Sequence, residues 1–418
     1  MVQSTPSTIS EVVVERLIIG GLGLAWHDGR TILIPYAAPG DRLLVEIKAE
    51  KRRGVHHGRI DTIVTAGPDR IEPVCPLYGR CGGCQLQHLS QEAALSVKRS
   101  FVIDALRRLA RVAAVDAENC VWPTQPVQPV VGYRQRAQLH IYQHGHKTAV
   151  GFHAPNSHRV IDTNHCAILC PQLNQLLPPI HQAIADLDRP LRLSHIDLAC
   201  GESGLLLALH GRAPLTPPAL QPFVTGDNCL YRVNGVELSF RAGNFTQANF
   251  VGNQHLVAKV LEQAGSGHQA LDLFCGIGNF TLPLRQQFDR VTGWDLCPSS
   301  IDLARQNIVN NGLSDIAIGH ADLFSPAGVT QLALDESALS KTDCVVLDPP
   351  REGAALISQR LASPNRIKRV VYVSCNPATF ARDTAVLVAG GWRLHSVHPI
   401  DMFPLTHHIE LVALFVRS

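Results

Sequence analysis

Three stretches of this chain carry residues whose types and spacing can do chemistry. Val371-Tyr-Val-Ser-Cys-Asn-Pro377 places a thiol, Cys375, where a β-branched and aromatic run breaks off. Leu271-Asp-Leu-Phe-Cys-Gly-Ile-Gly-Asn279 places Gly276 and Gly278 directly after an apolar run, and Leu347-Asp-Pro-Pro-Arg351 places an acid at the end of another. Glycines after a strand let the backbone approach a ligand closely. A thiolate beside such a pocket suits methylation of carbon 5 of a pyrimidine, an atom with no lone pair to take the methyl group. Addition of sulfur to carbon 6 turns the ring into an enolate, and carbon 5 then attacks the methyl donor.

After transfer, carbon 5 still carries a hydrogen, so a general base must lie nearby. Glu410, at the end of Met402-Phe-Pro-Leu-Thr-His-His-Ile-Glu410 and before an apolar run, is the first choice, because burial there raises its basicity. His407 and His408 are alternatives, although loop histidines are more often exposed or structural. A reactive thiol needs positive potential, and Arg351 is a candidate source. The competing reading of Cys375 is a buried core cysteine; the neighbouring Asp348-Pro-Pro tips the balance. Asp295, Asp322 and Asp348 fall at successive strand ends, the first at the separation where an acid meets a ribose diol. The competing reading of each is a helix N-cap, a role aspartate often fills, and it competes most strongly for Asp322, which no distinctive motif follows.

A second cluster, Cys75-x5-Cys81-Gly-Gly-Cys84, puts three thiols on one loop, with Cys166 or Cys170 as the fourth. Such a set suits tetrahedral zinc or a cubane iron-sulfur cluster. The spacing leaves the metal open.

These residues need elements to hold them. At 418 residues, two or three domains are expected. Net charge is only +2, so nucleic-acid affinity must come from local patches. No signal peptide or membrane-length apolar run is visible, which predicts a cytoplasmic protein in which the 12 cysteines are not disulfides. Residues 8–66 read as a small OB-like β-barrel carrying Lys48, Lys51, Arg52, Arg53, Arg59, His56 and His57, either an RNA stripe or a solvated hairpin tip. Residues 67–244 read as an α+β middle region with an amphipathic helix over Ser90–Ala110, which could pack on the C-terminal part, and a connector at 119–129. From 245 to 418, strand candidates at 270–274, 290–294, 316–319, 344–348, 369–374, 392–399 and 409–416 alternate with helix-length stretches. The fold class is therefore α/β, with a doubly wound Rossmann-like C-terminal domain.

On these motifs the chain resembles, over essentially its whole length, the bacterial RNA uracil-5-methyltransferases, and within them the branch that acts on 23S ribosomal RNA and carries an N-terminal TRAM domain. The resemblance implies a 4Fe-4S cluster on Cys75, Cys81, Cys84 and Cys166. It implies S-adenosylmethionine contacts at Gln247, Phe274, Asn279, Asp295, Asp322 and Asp348, with Cys375 as nucleophile and Glu410 as base. Gln247 could not have been chosen from spacing. Two positions depart from the family pattern: Asp295 stands where glutamate is more common, and Leu405 interrupts Phe-Pro-His-Thr-x-His. The expected activity is 5-methyluridine formation in 23S rRNA on a uridine drawn out of its stack, by a monomer that engages no membrane. Another rRNA site or tRNA, a nitrogen-directed methyltransferase, and an iron-sulfur RNA-binding regulator are the rivals.

Overall fold

The computed structural model describes residues 7–48, 54–144, 147–185, 193–211, 221, 226–332, 341–363 and 367–417. Its N-terminal strands are β1 (Ser7–Ile18), β2 (Leu22–His27), β3 (Arg30–Pro35), β4 (Arg42–Lys48) and β5 (Val55–Thr65), closed in the order β1-β2-β3-β5-β4. Period-2 alternation sends Val12, Val14, Ile32, Ile34, Leu43 and Val45 inward. Of the basic stretch, Lys51, Arg52 and Arg53 lie outside the described residues. Arg59 is paired with Glu46 at 2.7 Å, and His56 is buried rather than displayed.

Ser90 caps helix α1 (Gln91–Ala105) by accepting from the Ala93 amide; one π-helical turn, Leu106–Ala110, follows, then α2 (Ala114–Cys120). Lys98 is not on a polar face, as a simple amphipathic reading would have it. It is wholly buried, donating to Asp401 Oδ1 at 2.5 Å and to the Phe403 carbonyl at 3.0 Å.

The middle region is an antiparallel sheet of β6 (Arg136–His144), β7 (Lys147–His153), β8 (Val160–Asp162), β9 (Leu193–Gly201) and β10 (Gly204–Gly211), ordered β10-β9-β6-β7-β8. Helix α3 (Pro171–Ala185) covers one face, packing Leu173, Leu177 and Ile180 on Leu139, Ile196 and Leu198. A hairpin of β11 (Asn228–Val233) and β12 (Val236–Arg241) leads to α4 (Phe250–Ala264).

The C-terminal sheet contains β13 (Gly267–Leu273), β14 (Phe288–Asp295), β15 (Ile316–His320), β16 (Cys344–Leu347), β17 (Arg369–Ser374), β18 (Arg393–Ile400) and β19 (Glu410–Val416). The order is β15-β14-β13-β16-β17-β19-β18; the first five run parallel, and β19 is antiparallel to both neighbours. Every residue of β16 is buried and so is β17 after Arg369, as in a sheet covered on both faces. The covering helices include α5 (Thr281–Leu284), α6 (Pro298–Asn310), α7 (Pro326–Gln331), α8 (Ala355–Ala362) and α9 (Pro377–Ala389). The β11–β12 hairpin is tied to α6, since the Ser239 and Glu237 amides donate to Asn307 and Asn311 side chains. On the opposite face Val102, Ile103 and Leu106 from α1 and its π turn join the core of Tyr372 and Phe380. The segment expected to be a loose connector runs along β18, where Val121 and Gln125 pair with Val397 and Ile400. Strand order reverses between β13 and β16, which opens a crevice at their carboxyl ends. No helix among the described residues is long and apolar enough to cross a membrane.

Candidate active site

The glycine loop begins at the end of β13 with backbone strain. Phe274 has φ +70°, an unusual value for a bulky residue, and is held there because its amide and that of Cys275 both donate to the Trp294 carbonyl, at 2.9 and 3.0 Å. Gly276 and Gly278 follow with φ +54° and +96°. A Cβ on Gly276 would point into open space, whereas one on Gly278 would collide with Leu282, so the first glycine presents bare backbone to the crevice and the second serves packing. The Gly276 amide donates to Asp295 Oδ2 and the Cys297 amide to Oδ1, at 2.9 and 2.8 Å. Each oxygen of Asp295 keeps a further lone pair for a ligand hydroxyl.

Asp322 stands after β15, where its Oδ1 accepts from the Phe324 amide at 3.0 Å in a turn. The N-cap of α7 is Ser325, not Asp322, so the capping alternative does not describe this acid. Phe274 and Phe324 rings lie 5.5 Å apart. Asn279 forms a two-way amide pair with Asn253, its Oδ1 also accepting from Tyr231. A ligand contact would therefore fall to its backbone or its remaining amide hydrogen. Gln247, buried, lies between β12 and α4.

Across the crevice, Cys375 follows β17 directly, half-buried, with Asn376 capping α9 through the Ala378 amide. The Arg351 carbonyl receives Asn376 Nδ2 at 2.9 Å and Thr379 Oγ1 at 3.0 Å, which fixes the Asp348-Pro-Pro-Arg loop against the cysteine turn. Burial, then the neighbouring Glu410 and Asp348, pushes the Cys375 thiol up to about 12, while Arg351 pulls it down. The expected net activation is thus reversed in the free protein, because two carboxyls and desolvation outweigh one exposed guanidinium. Glu410, at the first residue of β19, is 6% exposed, and burial followed by Asp348 drives its carboxyl well above the ordinary glutamate range. Burial alone lifts Asp348 to about 7. His407 and His408 are pushed down to about 4 and about 3, chiefly by burial, and His407 Nδ1 is 2.8 Å from Gln85 Oε1.

The four expected cysteine ligands also meet. Cys75, Cys81, Cys84 and Cys166 line one cavity of about 110 Å³, together with Tyr78 and Arg134, whereas Cys170, a free thiol beside the thiol of Cys200, does not line it.

A family model described as tRNA (Uracil-5-)-methyltransferase matches residues 224–418. The 23S rRNA (uracil(1939)-C(5))-methyltransferase RlmD of Pectobacterium atrosepticum is 35% identical over 100% of this chain and 95% of its own length. That of Pseudomonas putida is 35% identical over 96% and 92%. The chain belongs to the RlmD branch of the RNA uracil-5-methyltransferase family. A tRNA (uracil-54, C5)-methyltransferase of Pyrococcus abyssi, solved with S-adenosyl-L-homocysteine, shares the fold with TM-score 0.73 at 23% identity, covering 97% of this chain and all of that one.

Two residues of this RlmD-branch chain escaped the sequence reading. Asp272, fully buried on β13, takes Thr281 Oγ1 on one oxygen at 2.5 Å and has no partner on the other. Burial raises it to about 7, with Asp348 and Asp295 adding to the effect. An acid inside the apolar run 270–274 was the available signal. Lys98 was hidden because its partner, Asp401, is some three hundred positions away.

Proposed function

We propose that this chain is an S-adenosylmethionine-dependent methyltransferase that forms 5-methyluridine in 23S ribosomal RNA through a covalent bond between Cys375 and carbon 6 of the target base. The observation that carries the mechanism is the convergence of three strand ends: Cys375 follows β17, Glu410 opens β19 in register beside it, with Ser374 opposite Leu411, and Asp348 follows β16 on the other side of β17. S-adenosylmethionine supplies an electrophilic methyl group carrying a positive sulfonium. The crevice fits such a ligand: bare backbone at Gly276 and two open lone pairs on Asp295. Asp295 would hold the ribose hydroxyls, Phe274 and Asp322 would border the adenine, and Gln247, Asn279 and Asp348 would close the remaining sides.

The target ring would enter beside Cys375 and Glu410, which a base inside its stack cannot reach, so the uridine would leave its stack. Cys375, its proton given up to solvent, would add to carbon 6 as the thiolate. Glu410, its proton affinity raised by burial, removes the hydrogen from carbon 5 after transfer, and elimination frees the thiol. The β-barrel would act as a TRAM module gripping RNA, with the chain working as a monomer in the cytoplasm, where ribosomal RNA resides.

Cys75, Cys81, Cys84 and Cys166 fit a 4Fe-4S cluster better than one zinc ion. Zinc at about 2.3 Å from each sulfur would draw the thiols to about 3.8 Å from one another. Among the described residues, no three of these thiols fall in a group whose ligand atoms all lie within 4.8 Å, yet all four face one cavity. Burial and three neighbouring thiols push Cys84 up to about 12, a clustering of incipient negative charge that a polynuclear cation would offset. The cluster would have a structural role, since methyl transfer moves no electron.

The test is nucleoside mapping of 23S rRNA from cells lacking this protein, complemented with wild type or Cys375→Ser. One 5-methyluridine should disappear and return only with wild type. Loss of a 5-methyluridine from tRNA with 23S rRNA unchanged, or full complementation by Cys375→Ser, refutes the assignment.

A further inference from the structure

We propose that His195, Asp197 and His210 form a binding site for a divalent transition cation of the zinc class, on the face of the middle sheet that α3 leaves uncovered. One potential ligand atom from each residue lies within 4.8 Å of the others. The placement follows from the register: His195 on β9 pairs directly with His210 on β10, and Asp197 is two residues along β9, on the same face. Ile196 and Leu198 point the other way, into the core beneath α3.

Three further observations separate this trio from an ordinary histidine–aspartate contact. His210 Nε2 lies 3.0 Å from Asp197 Oδ2, yet it is buried without a hydrogen-bond partner, so the two atoms converge without being aligned on one another. Two ligands each about 2.0–2.2 Å from a common tetrahedral ion lie roughly 3.3–3.6 Å apart, so a small outward shift of either group would admit the ion. Second, Ser194 Oγ lies 2.9 Å from His195 Nδ1 and 3.0 Å from the His210 carbonyl, so a hydroxyl stands behind one nitrogen of the His195 ring and leaves the other open for coordination, the arrangement of a ligating imidazole. Third, Gln138 Nε2 donates to Asp197 Oδ1 at 3.1 Å, which orients the carboxylate and leaves Oδ2 turned to the histidine. Imidazole and carboxylate together favour zinc, nickel, cobalt or copper over magnesium or calcium.

His140 on β6 sits across from His195, with ring centroids 6.4 Å apart, and His153 stacks beside it at 3.7 Å. None of these residues belongs to the crevice of Cys375 or to the cysteine cavity. A cation here would clip β10, the sheet's edge strand, to β9.

The test uses the full-length, iron-loaded protein and zinc chloride in isothermal titration. Wild type should bind one zinc ion more per chain than the double variant His195→Ala/His210→Ala, and Asp197→Asn should bind it roughly 10- to 100-fold more weakly. Iron content and methyl-transfer rate should stay at wild-type values in all three. Cobalt(II) loaded in place of zinc should give ligand-field bands without the intense near-ultraviolet charge transfer that thiolate ligands add. Should the double variant fail to fold, the solvent-facing single variant His210→Gln carries the same comparison. Equal zinc stoichiometry and affinity in wild type and variants, a thiolate signature for cobalt, or no zinc uptake by wild type at micromolar concentration each overturns the proposal.

Discussion

Replacing Arg351 by methionine should slow every reaction of the Cys375 thiolate. Arg351 is the residue whose charge lowers both Cys375 and Glu410, against burial and the two carboxyls that raise the thiol to about 12. Its guanidinium is exposed, so solvent screening must be allowed for. For a screened pair near the surface the interaction is on the order of 1 kcal/mol, close to one tenfold step in thiolate population. The side chain can be changed without unseating the loop, because its links to Asn376 and Thr379 run through the Arg351 carbonyl. The assay is iodoacetamide labelling of Cys375, followed by peptide mass spectrometry from pH 7 to 10, without RNA. Arg351→Met should label about 5- to 10-fold more slowly at each pH below the thiol's own value, with the difference shrinking in high salt and largely restored by Arg351→Lys. Identical labelling profiles for wild type and Arg351→Met would falsify the claim that this guanidinium tunes the nucleophile.

Three more outcomes follow from the same geometry. Glu410→Gln should still add Cys375 to the base but fail to release it, so a denaturation-resistant RNA–protein adduct accumulates on gels while turnover falls about 100-fold or more; a variant that releases product at the wild-type rate rules Glu410 out as base. Lys98→Met should destabilise the protein by roughly 3–5 kcal/mol in urea unfolding, because Asp401 is left buried and uncompensated, and Lys98→Met/Asp401→Leu should recover most of that loss. Asp348 has a folded value of about 7 against 3.8 for an ordinary aspartate, so it contributes stability below about pH 4 that is lost as pH rises through 7. Relative to wild type, Asp348→Asn should therefore gain roughly 2–4 kcal/mol between pH 4 and pH 7.5. Parallel stability curves for the two proteins over that range would show that Asp348 is not held protonated.

Much of this architecture is written in local pattern. Strands β16, β17 and β19 are near-continuous apolar runs, as central strands buried on both faces must be, and the more polar β14, β15 and β18 lie at or toward the sheet's edges; all were found within a few residues from their alternation with helix-length stretches. The crevice acids were legible for the same reason, each standing where such a strand stops. Other features depend on partners far along the chain. The three residues of β8 are too few to show a period, and the β11–β12 hairpin takes its anchors from Asn307 and Asn311. Lys98 reads as a surface residue in any helical wheel, and only the fold brings Asp401 to it. The electrostatics were legible in sign for Glu410 and not for Cys375, since sequence reveals that an arginine is near but not how far burial and two carboxyls outweigh it.

The segment 401–409 joins these parts, since it delivers Glu410 and has little secondary structure of its own. Its restraints come from outside the methyltransferase sheet. Lys98 of α1 holds Asp401 and the Phe403 carbonyl, Tyr133 donates to the Pro404 carbonyl, and the Gln85 and Leu86 amides both donate to the Leu405 carbonyl. Leu405 adopts φ +67°, a conformation that a leucine side chain resists and that those two amide bonds hold in place. Gln85 also grips His407 and immediately follows Cys84. A change in the cysteine loop therefore reaches the segment that leads to Glu410 through one residue and two backbone amides. Loss of the four-thiol arrangement would relax Gln85, release Leu405 from its strained φ and free Glu410 to drift from Cys375. A remote cysteine cavity can in this way govern methyl transfer without exchanging an electron with the substrate. On this reasoning Gln85→Ala, which leaves all four cysteines in place, should reduce turnover while keeping iron content intact.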